Sequence, residues 1–507
     1  MSAPRLAALA FALTTLAPAA WAADATPEQA QALERQVREW ISGTFGSALN
    51  LTERPVRITP EGDHFAVAVP LGSAPDALRL TATARMSDGG RWNIDNIRFP
   101  SPAEFTLTLP QPSKDDSKAP PTMVPVTYKV TIGQQAGQIL FDPAYATAST
   151  LNSTLQNLDV QASGPGLEQT SHMDRNSTTS ILRPAAGGRL DLLSDSTVEG
   201  YRITSKTTDS ELLKLAFGRV RVTGELDGVS RDRGTQILQA LMQVSPASAG
   251  SGGSPKLDDK AVQTLLEAVA DFATAFTIDE SIEKLSVSYG DYGGLLNTAR
   301  IGMTMKADQG LLQARMDLGA EGLTLPDLPL GDMAALIPTK VALRPVVSGI
   351  PVQELIKVAK SSQNGGTPSA GEIQALFSRG GINAGLESFA IDVAGTGFTG
   401  MGKLVFTSPQ AFSGTAQITA TNLDLLQQRV AASPDMQSAM PVFIFAKGIG
   451  RTVENRMVWD VTYQNGRLLV NNQDLTAMTG GAAPDQDQQP PQTRPQPQQR
   501  QPQNRTR

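Results

Sequence analysis

Val126-Thr127-Tyr128-Lys129-Val130 alternates apolar and polar side chains one for one, the period of a β-strand with one face buried and the other wet. The same alternation runs from Val124 to about Leu226, through Val220-Arg221-Val222-Thr223, with Thr, Ser and Gly dense between the apolar positions. Threonine and β-branched residues suit exposed strand faces, so this tract reads as sheet rather than as a disordered Ser/Thr-rich segment. Upstream, Val56, Ile58 and Phe65, Val67, Val69 flank the turn residues Pro60-Glu61-Gly62-Asp63. Leu78, Leu80, Ala82, Ala84 and Met86 likewise precede Ser87-Asp88-Gly89-Gly90, and both patterns predict antiparallel hairpins. Trp92, Ile94, Phe105, Leu107 and Leu109 continue the alternation until Gln111 to Pro121 interrupts it with proline, lysine and aspartate, a loop or local boundary.

Helices punctuate this pattern. Thr26-Pro27-Glu28-Gln29 has the form of a capping box with proline at the first helical position, and Leu33, Val37, Trp40 and Ile41 follow at helical spacing. A helix over about 27 to 42 is expected, packed on the body of the protein, because its charges lack the cationic excess of a membrane-surface helix. Ile237, Leu238, Leu241 and Met242 form a second apolar face, and Val262, Leu265, Leu266, Val269, Phe272 and Phe276 a third. The Ser/Gly/Pro run from Ser245 to Pro255 separates them as a linker. After Glu280 strands return, and a unit of strand, small turn residue and short helix recurs. Val341 to Val347 leads through Gly349 into Val352-Gln353-Glu354-Leu355-Ile356, and Phe412 to Ala420 through Asn422 into Leu423-Asp424-Leu425-Leu426. A shorter third instance runs from Leu468 to Asn471 into Asp474-Leu475.

The expected fold class is α+β, predominantly antiparallel β, with extended or stacked sheets and a few amphipathic covering helices. The domain reading is a leader over 1–22, an N-terminal helix with a β-rich lobe over 23–250, a helix with a second β-rich lobe over 251–480, and a disordered Gln/Pro/Arg-rich tail over 481–507.

Arg5 precedes an apolar run from Leu6 to Leu16, and Ala20-Trp21-Ala22 offers a small-x-small cleavage site. This is the pattern of a secretory signal peptide cleaved after Ala22, and it predicts a periplasmic protein. With no cysteine in the chain, disulfides, thiolate nucleophiles and thiolate metal sites are all excluded. The longest later apolar run, Pro441-Val442-Phe443-Ile444-Phe445-Ala446, is far shorter than the ~20 residues that span a bilayer, so no integral span is expected in the mature chain. An outer-membrane barrel is disfavoured by an aromatic content of 5% and by the polar tail. A net charge of −6 offers no basic face for nucleic acid.

No motif assigns an activity. Gly395-Thr396-Gly397-Phe398-Thr399-Gly400 has dinucleotide-loop spacing, and Gly397 to Lys403 approaches a P-loop, but both need a helix immediately after the glycines. Lys403-Leu404-Val405-Phe406-Thr407 reads instead as a strand, which predicts a glycine-rich hairpin or bulge and no nucleotide. Ser281-Ile282-Glu283-Lys284 has the S-x-x-K spacing of penicillin-binding enzymes, at what reads as a helix end or strand start, with neither partner motif downstream. His64 beside a turn and His172 in a Ser/Thr-rich loop read as surface histidines. Two isolated histidines exclude the usual zinc spacings, and no calcium loop occurs. Asp115-Asp116 falls in a linker and Asp258-Asp259 near a helix start, where carboxylates favour the dipole. Hence no catalytic, cofactor-binding or metal residue is assigned.

What remains is the sheet surface, whose apolar face either forms core beneath the helices or lines a groove for a hydrophobic ligand. The alternation of strands with Leu-anchored helices, and the ending Met457-Val458-Trp459-Asp460-Val461-Thr462-Tyr463-Gln464-Asn465-Gly466-Arg467-Leu468-Leu469-Val470-Asn471-Asn472, resembles β-rich periplasmic proteins of Gram-negative bacteria. The pattern over roughly residues 50 to 478 is similar to domain-of-unknown-function and YdgA-like families, and more remotely to AsmA-like envelope proteins, from which the lack of a retained membrane helix departs. The resemblance implies an envelope protein concerned with lipids or outer-membrane assembly, and it carries over no functional residue. The function expected is non-enzymatic binding of a lipid or envelope component on a sheet surface. The alternatives are a protein-interaction module acting through a sheet edge or the C-terminal tail, and a periplasmic hydrolase without a recognisable motif.

Overall fold

The computed structural model describes residues 25–31, 33–35, 38, 55–70, 78–87, 91–111, 122–142, 147–207, 212–234, 236–237, 264–265, 267–268, 271–326, 331–363 and 366–476. The leader, the linker from Ser245 to Pro255, the two aspartate pairs and the tail over 481–507 lie outside the described residues, as do most positions of the second and third apolar helix faces.

Among the described residues every strand belongs to one sheet of 21 strands, and every pairing is antiparallel. The chain is therefore mostly β rather than α+β, and the sheet is single and open rather than stacked. It meanders from β1 (Arg57–Glu61), β2 (His64–Pro70), β3 (Arg79–Met86) and β4 (Trp92–Arg98) to the long β6 (Thr122–Asp142). β5 (Ala103–Gln111) pairs with the other end of β6. Then follow β7 (Thr147–Gly164), β8 (Leu167–Pro184), β9 (Leu190–Thr207), β10 (Leu212–Val229), β11 (Ala275–Tyr289), β12 (Tyr292–Asp308) and β13 (Leu311–Glu321). β14 (Pro338–Pro351), β15 (Ile382–Val393), β16 (Thr396–Phe406), β17 (Phe412–Thr421) and β19 (Arg456–Gln464) continue the ladder, and the short β18 (Arg451–Val453), β20 (Arg467–Val470) and β21 (Gln473–Asp474) close its far edge. β10 pairs directly with β11 from Leu213↔Tyr289 to Asp227↔Ala275, so the sheet runs on across residues 230–274.

Local chemistry explains the turns and helix starts. The expected capping box forms reciprocally: the Thr26 amide donates to Gln29 Oε1 at 2.8 Å and the Gln29 amide to Thr26 Oγ1 at 3.3 Å. Ala30 and Leu33 of this helix are buried with Val56, Phe65, Val67, Leu80, Trp92, Ile139 and Phe141, which makes β1–β4 and the adjoining ends of β6 and β7 a closed core. The glycine-rich stretch is a hairpin, as expected: Ala394 and Gly395 take φ of +56° and +81° between Val393 and its partner Thr396, the two positive values a type I′ turn requires. The repeated unit holds twice. β14 passes through Gly349 at φ +85° into α1 (Val352–Gln363), and β17 through Asn422 at φ +57° into α3 (Leu423–Ala432). α2 (Ala370–Ala375) lies between these, and α4 (Met440–Ile449) follows a 3-10 turn after α3. The third instance fails, because Asn471 and Asn472 at φ +47° and +66° turn the chain back into β21 rather than into a helix.

Three further corrections concern the strands. His172 lies within β8 and not in a loop. Ser281 to Lys284 lies inside β11 rather than at an element boundary. Phe276, counted with a helix face, belongs to β11, where it pairs with Leu226 and Met305. Polar residues on the wet face hid the strand around Ser281, since only every second side chain reports burial, and Phe276 fell in helical phase with Phe272.

A crease crosses the long strands. Asn157, Gly200, Lys284 and Gly322 have φ of +52°, +62°, +55° and +75°, on every second strand from β7 to the end of β13. Each lies across from Gly133, Asp174, Gly218 or Asn297, at positions where the regular pairing is interrupted. In each of these four contacts the partner to the glycine lays its side chain over it: Asn157 on Gly133, Asp174 on Gly200, Lys284 on Gly218, Asn297 on Gly322. The register runs unbroken through the crease, yet the alternation of burial changes phase there, so Leu155 and Leu158, or Phe217 and Val220, fall on the same face.

Candidate functional site

Directly opposed residues in an antiparallel ladder share a face, so the register identifies what each face carries. One row runs Gly137, Ser153, Thr178, Ser196, Val222, Glu280, Ile301, Leu318, Leu343, Phe389, Gly400, Ile418, Trp459 from β6 to β19. Flanking rows on the same face add Ile278, Ile282, Met303, Met305, Ala314, Met316, Val347, Phe398, Leu404 and Val461. From β10 to β19 Glu280 is the one charged side chain on this otherwise largely apolar face among the described residues. On β7 to β9 it carries hydroxyls, with Thr178 and Ser196 3.0 Å apart and Ser180 and Ser194 3.1 Å apart.

Among the described residues, buried clusters show helices packed on this face at two places. The N-terminal helix seals it over β1–β4. At the turn that joins β15 to β16, Leu426 and Val430 of α3 pack on Ala394 with Val393, Phe398, Met440 and Phe443 around them. Trp459 Nε1 donates to the Ala446 carbonyl of α4 at 2.7 Å. Between these caps the apolar side chains remain in contact with solvent: Ile301 is 46%, Val287 41% and Met316 37% exposed. A hollow of about 350 Å³ on this face is lined by Leu386, Phe389, Leu404, Ile418, Val461 and Tyr463. Glycines shape it, since a β-carbon on Gly400 would strike the Phe389 ring and one on Gly414 the Leu404 side chain. Phe412 stacks on Tyr463 with ring centroids 4.6 Å apart, and Tyr201 on Phe217 at 4.9 Å.

The opposite face is ionic. Arg221 donates to Asp195 at 2.6 Å, Arg300 to Asp279 at 2.5 Å and Arg344 to Asp317 at 2.5 Å, so acid and base alternate from β9 to β14. The Arg221 hydrogen bond holds the Asp195 carboxyl below its ordinary value, and the Asp279 hydrogen bond raises Arg300. His172 sits between two carboxylates, with Nδ1 2.7 Å from Asp159 and Nε2 2.9 Å from Asp174, and the Asp159 hydrogen bond leads in raising its pKa. A hollow of about 590 Å³ also opens on this polar face, between Glu387, Lys403, Gln417 and Asp460.

No protein-family model, characterised protein or solved structure matches this chain. No helix among the described residues is long and apolar enough to cross a membrane. Ser281 and Lys284 are not assembled into a catalytic pair: Ser281 faces Arg221 and Arg300 across its ladders, whereas Lys284 lies in the crease over Gly218. His64 contacts Asp63 at 2.9 Å beside the first hairpin turn. Sequence reasoning passed over Glu280. Its signal was there, since Glu280 is in phase with Ile278 and Ile282 on the apolar side of β11, but that phase is lost when Phe276 is assigned to a helix.

Proposed function

We propose that this chain is a non-enzymatic protein of the Gram-negative periplasm that binds an acyl lipid or another amphiphilic envelope component along the apolar face of its sheet. One observation carries the reading: a row of apolar side chains from Ile301 on β12 to Trp459 on β19, with Val222 beyond Glu280, lies between capped ends with no layer packed over its middle among the described residues. Apolar surface left to water costs about 25 cal/mol per Å², and an acyl chain laid on this face removes that cost at no expense in hydrogen bonds. The leader over 1–22 and the resemblance to periplasmic families support the location. The test is native mass spectrometry with solvent extraction on protein purified from the periplasm without detergent. Reproducible acyl lipid supports the reading, whereas clean apo protein overturns it and turns attention to a protein partner.

A further inference from the structure

Glu280 stands on the apolar face of β11 with Ile278 and Ile282 beside it on its own strand, and Val222 and Ile301 across its two ladders. It is the one charged side chain on that face from β6 to β19 among the described residues, and it has no hydrogen-bond or ion-pair partner there. Its neighbours Asp279 and Glu283 point to the ionic face, where Asp279 is bound by Arg300. A lone carboxylate with no ion-pair partner gains from a cation brought to it. Along the same row the hydroxyls of Ser196 and Thr178 begin two strands away, about 10 Å at ~4.8 Å per strand. The face thus has a polar end, a single anionic post and an apolar stretch beyond it.

We infer that Glu280 anchors the cationic head of an amphiphile, an alkyl or acyl chain bearing a primary or quaternary ammonium, whose tail lies toward Ile301, Leu318 and Leu343. The inference rests on the proposed lipid-binding reading and specifies its ligand class. An ammonium against Glu280 gains a charge-assisted contact on an otherwise uncharged face, polar groups extending from the head toward β9 and β8 meet the hydroxyls of Ser196 and Thr178, and a fatty-acid carboxylate in the same place is repelled.

The test measures binding of dodecyltrimethylammonium, dodecanoate and uncharged dodecyl maltoside, all below their micelle concentrations, to the full chain and to Glu280→Gln and Glu280→Ala. Dodecyltrimethylammonium should bind the parent about tenfold more tightly than dodecanoate, and Glu280→Gln should remove that preference while keeping the affinity for the maltoside. Equal affinities in the parent, or a preference unchanged in Glu280→Gln, overturn the assignment while leaving the lipid-binding reading intact. Failure of all three amphiphiles to bind overturns both. Glu280→Ala separates loss of charge from loss of the side chain, and near-native circular dichroism of each variant excludes misfolding as the cause.

Discussion

Asp174 lies over Gly200 across the ladder between β8 and β9, where the glycine holds φ at +62°, and a β-carbon added to Gly200 would fall within the Asp174 carboxylate. Gly200→Ala should therefore cost about 1–3 kcal/mol in denaturant unfolding, from left-handed strain and the displaced aspartate together. Gly224→Ala is the control, since its position in β10 has ordinary φ and open space around an added methyl. It should be neutral or stabilising by up to ~1 kcal/mol, and equal losses at both sites would remove the crease as a special feature.

His172, between Asp159 and Asp174, should titrate above the ordinary histidine value of about 6.5. A pKa raised on folding contributes stability that is fully present below the unfolded value and fades as pH rises through the folded one. Imidazole NMR should show the raised midpoint, and Asp159→Asn should bring it down. A midpoint at or below 6.5 in the parent contradicts the geometry.

The ladder of Asp195, Arg221, Asp279, Arg300, Asp317 and Arg344 sits in water, and its members contribute little singly. A double-mutant cycle on Asp279 and Arg300 should give a coupling of about 0.2–1 kcal/mol that shrinks in high salt. Asp195, held low by Arg221, contributes above its unfolded pKa and loses that contribution as pH falls through its folded one. A coupling of several kcal/mol would mean that this face is covered rather than exposed.

Burial is unevenly distributed along the one continuous face, and stability should follow it. Phe141 is 1% exposed and Leu33 3%, against 46% for Ile301. Phe141→Ala should cost about 3–5 kcal/mol and Leu33→Ala about 2–4. Ile301→Ala should cost under about 1 kcal/mol in unfolding. Similar losses at all three would show that the middle of the face is closed core.

Much of this was legible in the sequence because a strand with one wet face declares itself by period. Val126 to Val130, the turn at Gly62 and the capping box at Thr26 were readable from residue type alone, as was the return of the chain at Gly395. The crease was not, since the left-handed residue at each crossing shifts the phase of alternation without changing the register and makes one long strand such as β8 look like two short ones around a loop, which is how His172 was misplaced. The open face was also illegible: Leu318 and Leu343 read identically whether a helix covers them or a ligand does. Glu280 acquires meaning only once the ladder sets it between Val222 and Ile301.

The most direct test of the apolar face as the binding surface is to place one charge on each side of β13 and weigh the bound lipid. Met316 pairs with Met303 on the apolar face and Gln313 with Lys306 on the ionic one. Native mass spectrometry of Met316→Glu and Gln313→Glu, prepared alike from the periplasm, should show acyl ligand lost from the first and retained by the second. Equal occupancy in both, or loss from Gln313→Glu alone, would contradict the account.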